Sequence, residues 1–232
     1  MNLHPRRFIR PALGTLCLAT LAALQACNGD ACFGVDVCFN NNNNNTQTVA
    51  LSGTAATGDA LASAQVTVSC VTGSATTLTD GGGNYRVTVN AALPCVVTVT
   101  SGDTSLHSLA YAGGTFNTTP ETELMLAYLA AQLGTNTAAL IGNFQGNPRY
   151  QQAMNSANTV QAAQSAVVTN LQQRYSVTLT APAFLTTSFT VGQPGVDSDL
   201  VALAKAGAID ANGMPDPAAV SLLTQAGATH PL

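Results

Sequence analysis

Tryptophan is absent from this chain, lysine occurs once (Lys205), and charged side chains make up only 8% of the residues. Without tryptophan the chain lacks the aromatic surface best suited to stacking on a ligand ring. Scarce charge means that the folded surface must be built largely from Thr, Ser, Asn and Gln. Three of the seven basic residues (Arg6, Arg7 and Arg10) fall in the first ten positions. The rest of the chain keeps Arg86, Arg149, Arg174 and Lys205 against all eleven acids, so beyond residue 26 the net charge is 4 − 11 = −7. Such a balance offers no basic track for a phosphate backbone and excludes nucleic acid as an expected partner.

Several chemical signatures are missing as well. No Cys-x-x-Cys or Cys/His cluster suggests zinc, and no Gly-x-Ser-x-Gly, His-Glu-x-x-His or phosphate-cradling glycine loop occurs. No cofactor or catalytic residue is therefore expected. The only glutamates, Glu121 and Glu123, are two apart at a predicted helix start. Dipole compensation explains them better than acid/base work. His107 lies in a Thr/Ser-rich strand and reads as a surface residue, while His230 is in the tail. Asp210-Ala211-Asn212-Gly213 with Asp216 has some of the acids of a calcium loop, but at the wrong positions and without a closing Glu. A turn between helices with Gly213 at positive φ fits it better.

What the chain does have begins at its amino terminus. A basic segment, His4 to Arg10, precedes an uncharged run from Leu13 to Leu24. Twelve residues are too few for a membrane-spanning helix, which needs about 20, but they suit a secretory signal. The run ends in Leu24-Gln25-Ala26-Cys27, which resembles the lipobox of bacterial lipoproteins. That resemblance implies cleavage before Cys27 and acylation of its sulfur with palmitate-class chains. One buried chain holds weakly and several hold firmly, at about 0.8 kcal/mol per methylene. Asn28, in place of the aspartate that retains such proteins at the inner membrane, implies the outer membrane. The partner expected from this end is therefore a bilayer.

Cys17 leaves with the signal and Cys27 takes the lipid, so Cys32, Cys38, Cys70 and Cys95 remain. An even number in an oxidising compartment points to disulfides. Three pairings are possible, and the sequence neighbourhoods favour Cys32–Cys38 and Cys70–Cys95. The segment 27–46 ends in six asparagines, Asn40 to Asn45, which cannot build a core and read as a tether.

From residue 47 to 118 the apolar period is two. Val66, Val68 and Cys70 alternate with polar residues, as do Tyr85, Val87 and Val89, and Cys95, Val97 and Val99 then alternate with Val96, Thr98 and Thr100. Turn residues separate these runs at Gly58-Asp59, Gly73, Asp80 to Asn84, Ala92-Leu93-Pro94 and Gly102-Asp103. About seven short strands are expected, with Cys70 and Cys95 facing inward. Val49 to Thr54, Ala60 to Val68 and Thr79 to Tyr85 together are similar to carboxypeptidase regulatory-like domains, with Gly83-Asn84-Tyr85 the most specific part. The resemblance covers about a third of the chain. It implies a transthyretin-like β-sandwich with a structural or binding role and no catalysis. A related sandwich class carries a Lys–Asn crosslink, which Lys205, outside this region, excludes. For a sugar-binding alternative, Tyr85 is in core phase, which leaves Tyr111 and Phe116 as stacking candidates.

Residues 119–232 read as helical. Thr119-Pro120-Glu121 is a helix start, followed by a stripe of Leu124, Met125, Tyr128, Leu129 and Leu133 that ends at Gly134. Further helices are expected near 137–144, 158–175, 197–206 and 217–226, with an extended stretch from Pro182 to Pro194. The whole is thus an α+β chain: signal 1–26, tether 27–46, sandwich 47–118 and helical region 119–232. The expected function is that of a non-enzymatic envelope lipoprotein displaying a structural or interaction module, the alternative being carbohydrate binding at the cell surface. Which protein or glycan it would meet is not legible.

Overall fold

A computed structural model describes residues 32–33, 37–38 and 46–232. The signal segment, Cys27 and the asparagine run lie outside the described residues. Two short strands, β1 (Cys32–Phe33) and β2 (Val37–Cys38), pair antiparallel with Cys32 opposite Cys38 in register.

Residues 46–232 form an α+β body. Its sheet has six strands: β3 (Gln47–Thr54), β4 (Gln65–Thr72), β5 (Ser74–Leu78), β6 (Asn84–Ser101), β7 (Thr104–Ala110) and β8 (Gly114–Thr115). Their order is β5-β4-β6-β3-β8, with β7 also on β6. The period of two in β3, β4 and β6 sends Val49, Leu51, Val66, Val68, Val87, Val97 and Val99 into the core.

Strand β6 organises the sheet. Expected as two strands broken at Ala92-Leu93-Pro94, it is one strand of 18 residues, which is why six strands form here rather than about seven. Its first half, Asn84 to Ala91, pairs with β3, whereas the second half pairs with β4 on one side and β7 on the other. Cys70 pairs with Cys95 and Thr72 with Ala92, so Leu93 and Pro94 together face the single residue Val71. That is a β-bulge, one of the few places where a strand tolerates a proline that cannot donate a hydrogen bond. The turn into β6 is held by Asp80, whose Oδ1 accepts from the Gly82 and Asn84 N–H groups, each at 2.9 Å. Gly83 sits there at φ +79°, and a Cβ on it would lie 2.4 Å from the Ala55 carbonyl oxygen.

The helices are α1 (Pro120–Gln132), α2 (Thr137–Asn143), α3 (Pro148–Asn155), α4 (Ala157–Tyr175), α5 (Val196–Lys205) and α6 (Pro217–Ala228), with a 3-10 turn at Phe144–Gly146. Helix α1 is buried along nearly its whole circumference, only Glu123 being partly exposed. An all-round buried helix is a central core element rather than an amphipathic cover. Helix α6 packs against it closely enough that a Cβ on Gly227 would lie 2.3 Å from the Tyr128 carbonyl oxygen. Val160, Ala163, Val167 and Leu171 of α4, Leu200 and Leu203 of α5 and Leu223 of α6 join the sheet residues in one hydrophobic core. Among the described residues no single helix is long and apolar enough to cross a membrane.

Two stretches differ from the sequence reading. Helix α3 was not expected, although Asn147 caps it, accepting from Arg149 and Tyr150 N–H, and Pro148 occupies its first turn. The segment from Pro182 to Pro194 turns over 182–186 and again from 191, so it is not one extended run. Buried Asn117 fixes it: Nδ2 donates to the Phe184 and Thr187 carbonyls at 2.8 and 2.7 Å, while Oδ1 accepts from Thr54 N–H at 3.1 Å. Carbonyls engaged in this way are not free to form a ladder.

Candidate functional site

Cys70 and Cys95 are bonded and fully buried, as their shared phase with the apolar residues requires. They sit opposite each other at the last register pair before the bulge, so the bond staples β4 to the second half of β6. Cys27, the expected lipidation site, lies outside the described residues, as do the side chains of Cys32 and Cys38.

His107 is not a lone surface residue. Its Nδ1 lies 2.7 Å from Glu123 Oε1, and the same oxygen accepts the His107 backbone N–H. Thr122 Oγ1 donates to the His107 carbonyl at 2.7 Å. Both backbone groups of His107 thus point away from β6 and toward the first turn of α1. On β7 that turn takes the place of a further strand and closes an edge that would otherwise offer unpaired N–H and C=O groups. Thr122 Oγ1 also accepts from the N–H of Thr119, the N-cap residue, at 3.0 Å, although the Thr119 hydroxyl itself makes no capping bond. These bonds make His107 and Glu123 fastenings between helix and sheet.

Glu121 departs further from expectation. Its side chain is wholly inaccessible, and neither carboxylate oxygen has a hydrogen-bond partner. Burial raises its pKa well above the ordinary carboxylate range, and the nearby charge of Asp199 raises it further. Asp199, also buried, is by contrast hydrogen-bonded at both oxygens. Its Oδ1 accepts from the Thr180 N–H and hydroxyl, each at 2.9 Å, and its Oδ2 from Ala181 N–H at 2.8 Å. Three donors thus meet the Asp199 carboxylate, whereas none meets that of Glu121. Neither is reachable by a substrate.

The 210–216 segment is a turn whose acids serve the backbone. Asp210 Oδ1 accepts from Asn212 and Met214 N–H at 2.8 and 2.9 Å, bonds that hold its pKa below the usual value, Met214 contributing most. Asp216 caps α6 through Ala218 N–H, and Gly213 adopts φ +74°.

Of the two stacking candidates, Phe116 is buried and meets Tyr111 edge-on, with ring centroids 5.1 Å apart. It offers no face to a ligand. Tyr111 is half-buried and lines a crevice of about 330 Å³ with Gln161, Gln164, Ser165 and Thr186. Gln164 Oε1 is already committed to Leu185 N–H at 3.0 Å.

A second crevice, of about 340 Å³, opens on the solvent side of β3 and β6. Its wall includes Ser52, Asp80, Asn84, Arg86, Thr115, Ser188 and Phe189. Sequence patterning marks Arg86 only as a solvent-phase residue of its strand. It gives no sign of Phe189, which reaches the sheet because Asn117 pins the turns around it. Comparison with protein-family models, with curated proteins and with solved structures finds no match.

Proposed function

We propose that this chain is a lipoprotein of the bacterial cell envelope, anchored in the outer membrane by an acylated Cys27. In this reading the body carried on the 27–46 tether is a non-enzymatic structural or interaction module. The observation that carries it is Leu24-Gln25-Ala26-Cys27 directly after a basic segment and a short apolar run. The buried Cys70–Cys95 bond supports export, because such bonds persist in oxidising compartments. We further propose that the strand region is a transthyretin-like sandwich. What supports it is the change of partners midway along β6, which gives its two halves separate ladders.

Mass spectrometry of the mature amino-terminal peptide from membranes tests the anchor. An acylated sulfur at Cys27 is expected, and Cys27→Ala should release the protein from the membrane fraction. A bare thiol at the new terminus, or a retained signal, would overturn the proposal.

A further inference from the structure

The outer face of β3 and the first half of β6 is polar apart from Ala50, and nearly uncharged. Thr48, Ser52, Thr88 and Asn90 point to solvent there, with Arg86 as the one cation. The crevice containing Phe189 does not end at Arg86. A neighbouring cleft of about 530 Å³, lined by Gln47 to Ser52 with Gly113 and Gly114, shares Ser52 and Arg86 with it. Together they follow the whole of β3, eight residues, or roughly 24 Å at the rise of an extended strand. Strand β8 meets β3 only at Leu51 and Ser52, which leaves the glycine backbone at 113–114 as a low wall beside the cleft.

Each end of the donor–acceptor range is present. Asp80 is exposed, and its hydrogen bonds from Asn84 and Gly82 hold its pKa below the ordinary value, so it stands as a charged acceptor. Arg86 is exposed and has no ion-pair partner among the described residues. Between them lie the hydroxyls of Ser52 and Thr115, 3.3 Å apart, and the amide of Asn84, already oriented by Thr54 and Asp80. Phe189 is half-buried beside them, fixed by Thr54 Oγ1 donating to its carbonyl at 3.2 Å. Its half-buried ring is the apolar side chain on the crevice wall.

We infer that this cleft binds a linear neutral oligosaccharide. A pyranose has an apolar C–H face suited to Phe189 and a rim of hydroxyls that both donate and accept. One carboxylate, one guanidinium and several neutral groups match that rim. A single cation in a body of net negative charge does not suit a phosphorylated or polyacidic chain. Too few apolar side chains line the cleft to hold a hydrophobic ligand. The length of the groove favours several sugar units over one. This gives a ligand class to the interaction module proposed above, but binding by the folded body does not depend on acylation of Cys27.

The test uses the full chain in detergent, titrated with cellohexaose, maltohexaose and chitohexaose by saturation-transfer NMR and calorimetry, with hexagalacturonate as the acidic comparator. At least one neutral hexamer should bind at about millimolar concentration or below. Phe189→Ala and Arg86→Gln should each weaken that binding at least about tenfold. Ser188→Trp, an exposed change that fills the crevice, should abolish it, while Arg174→Gln on α4 should leave it unchanged. Circular dichroism and melting curves establish that each variant is folded, and Arg86→Gln and Ser188→Trp carry the test if Phe189→Ala is not. No binding of any neutral hexamer, binding indifferent to Arg86→Gln and Ser188→Trp, or tighter binding of hexagalacturonate would overturn the inference. A soluble, unacylated protein that still binds would separate this result from the fate of the anchor.

Discussion

Breaking the Cys70–Cys95 bond should lower stability by an amount that the topology sets. The bond closes a segment of sequence separation 25, which contains β5, the Asp80 turn and the first half of β6. In the chain-entropy model a loop of that length contributes about 3.5 kcal/mol at 25 °C by restricting the unfolded chain. For a body of this size that corresponds to a melting shift of about 7–14 °C. The cleanest comparison is a Cys32→Ala/Cys38→Ala background unfolded in urea with and without reductant, since reduction changes no side chain. The midpoint should fall and the slope should rise, because the freed chain exposes more surface when it unfolds. A Cys70→Ala/Cys95→Ala variant should lose about 1–2 kcal/mol more, as both sulfurs are fully buried and their loss leaves a cavity. A reduced protein within about 1 kcal/mol of the oxidised one would refute the reasoning, since it would mean that the β4–β6 ladder holds the segment without the staple.

Asn117→Ala should destabilise by about 3 kcal/mol, because it leaves Thr54 N–H and the Phe184 and Thr187 carbonyls without their partner; a urea titration showing less than about 1 kcal/mol would dismiss Asn117 as the pin of the 182–194 turns. Glu121 has a raised pKa, so the folded chain keeps a proton that the unfolded chain releases near the ordinary value of 4.5. Stability should therefore fall as pH rises above that value, by at most about 1.4 kcal/mol per pH unit, until the folded group itself ionises. Glu121→Gln should remove this slope, and parallel melting profiles for the two proteins between acid and neutral pH would contradict the assignment. In Gly227→Ala two effects compete: better helix propensity contributes about 1 kcal/mol, whereas a Cβ placed 2.3 Å from the Tyr128 carbonyl oxygen forces α6 away from α1. The clash is with backbone that cannot rotate aside, so a net loss of about 1–2 kcal/mol is expected, and a more stable variant would show that the helices separate freely.

Much of this molecule is written in short-range pattern. Period-two alternation places β4 and β6. The Thr119-Pro120 start and the stripe from Leu124 to Leu133 place α1, and Gly134 ends it at φ +71°. Helix α3 was legible on the same terms, since Asn147-Pro148 is a cap followed by a first-turn proline. It was missed because its eight residues have too little apolar periodicity to draw attention. The inward phase of Cys70 and Cys95 also follows from period two alone.

Other features depend on what the fold brings beside each residue. Ala92-Leu93-Pro94 has turn chemistry, and only pairing with Val71 across the bulge makes it the middle of a strand. Glu121 and Glu123 are indistinguishable as first-turn acids, yet one is sealed in the core near Asp199 while the other fastens His107 at the edge of β7. Phe189 becomes a wall of the cleft only through Asn117, 72 positions before it in the chain. Sequence alone determined the α+β class and most of the helices and strands, because those depend on neighbours a few residues apart. The tertiary structure decided which polar groups are buried, paired or left facing a cleft, because burial and pairing depend on contacts between residues far apart in the chain.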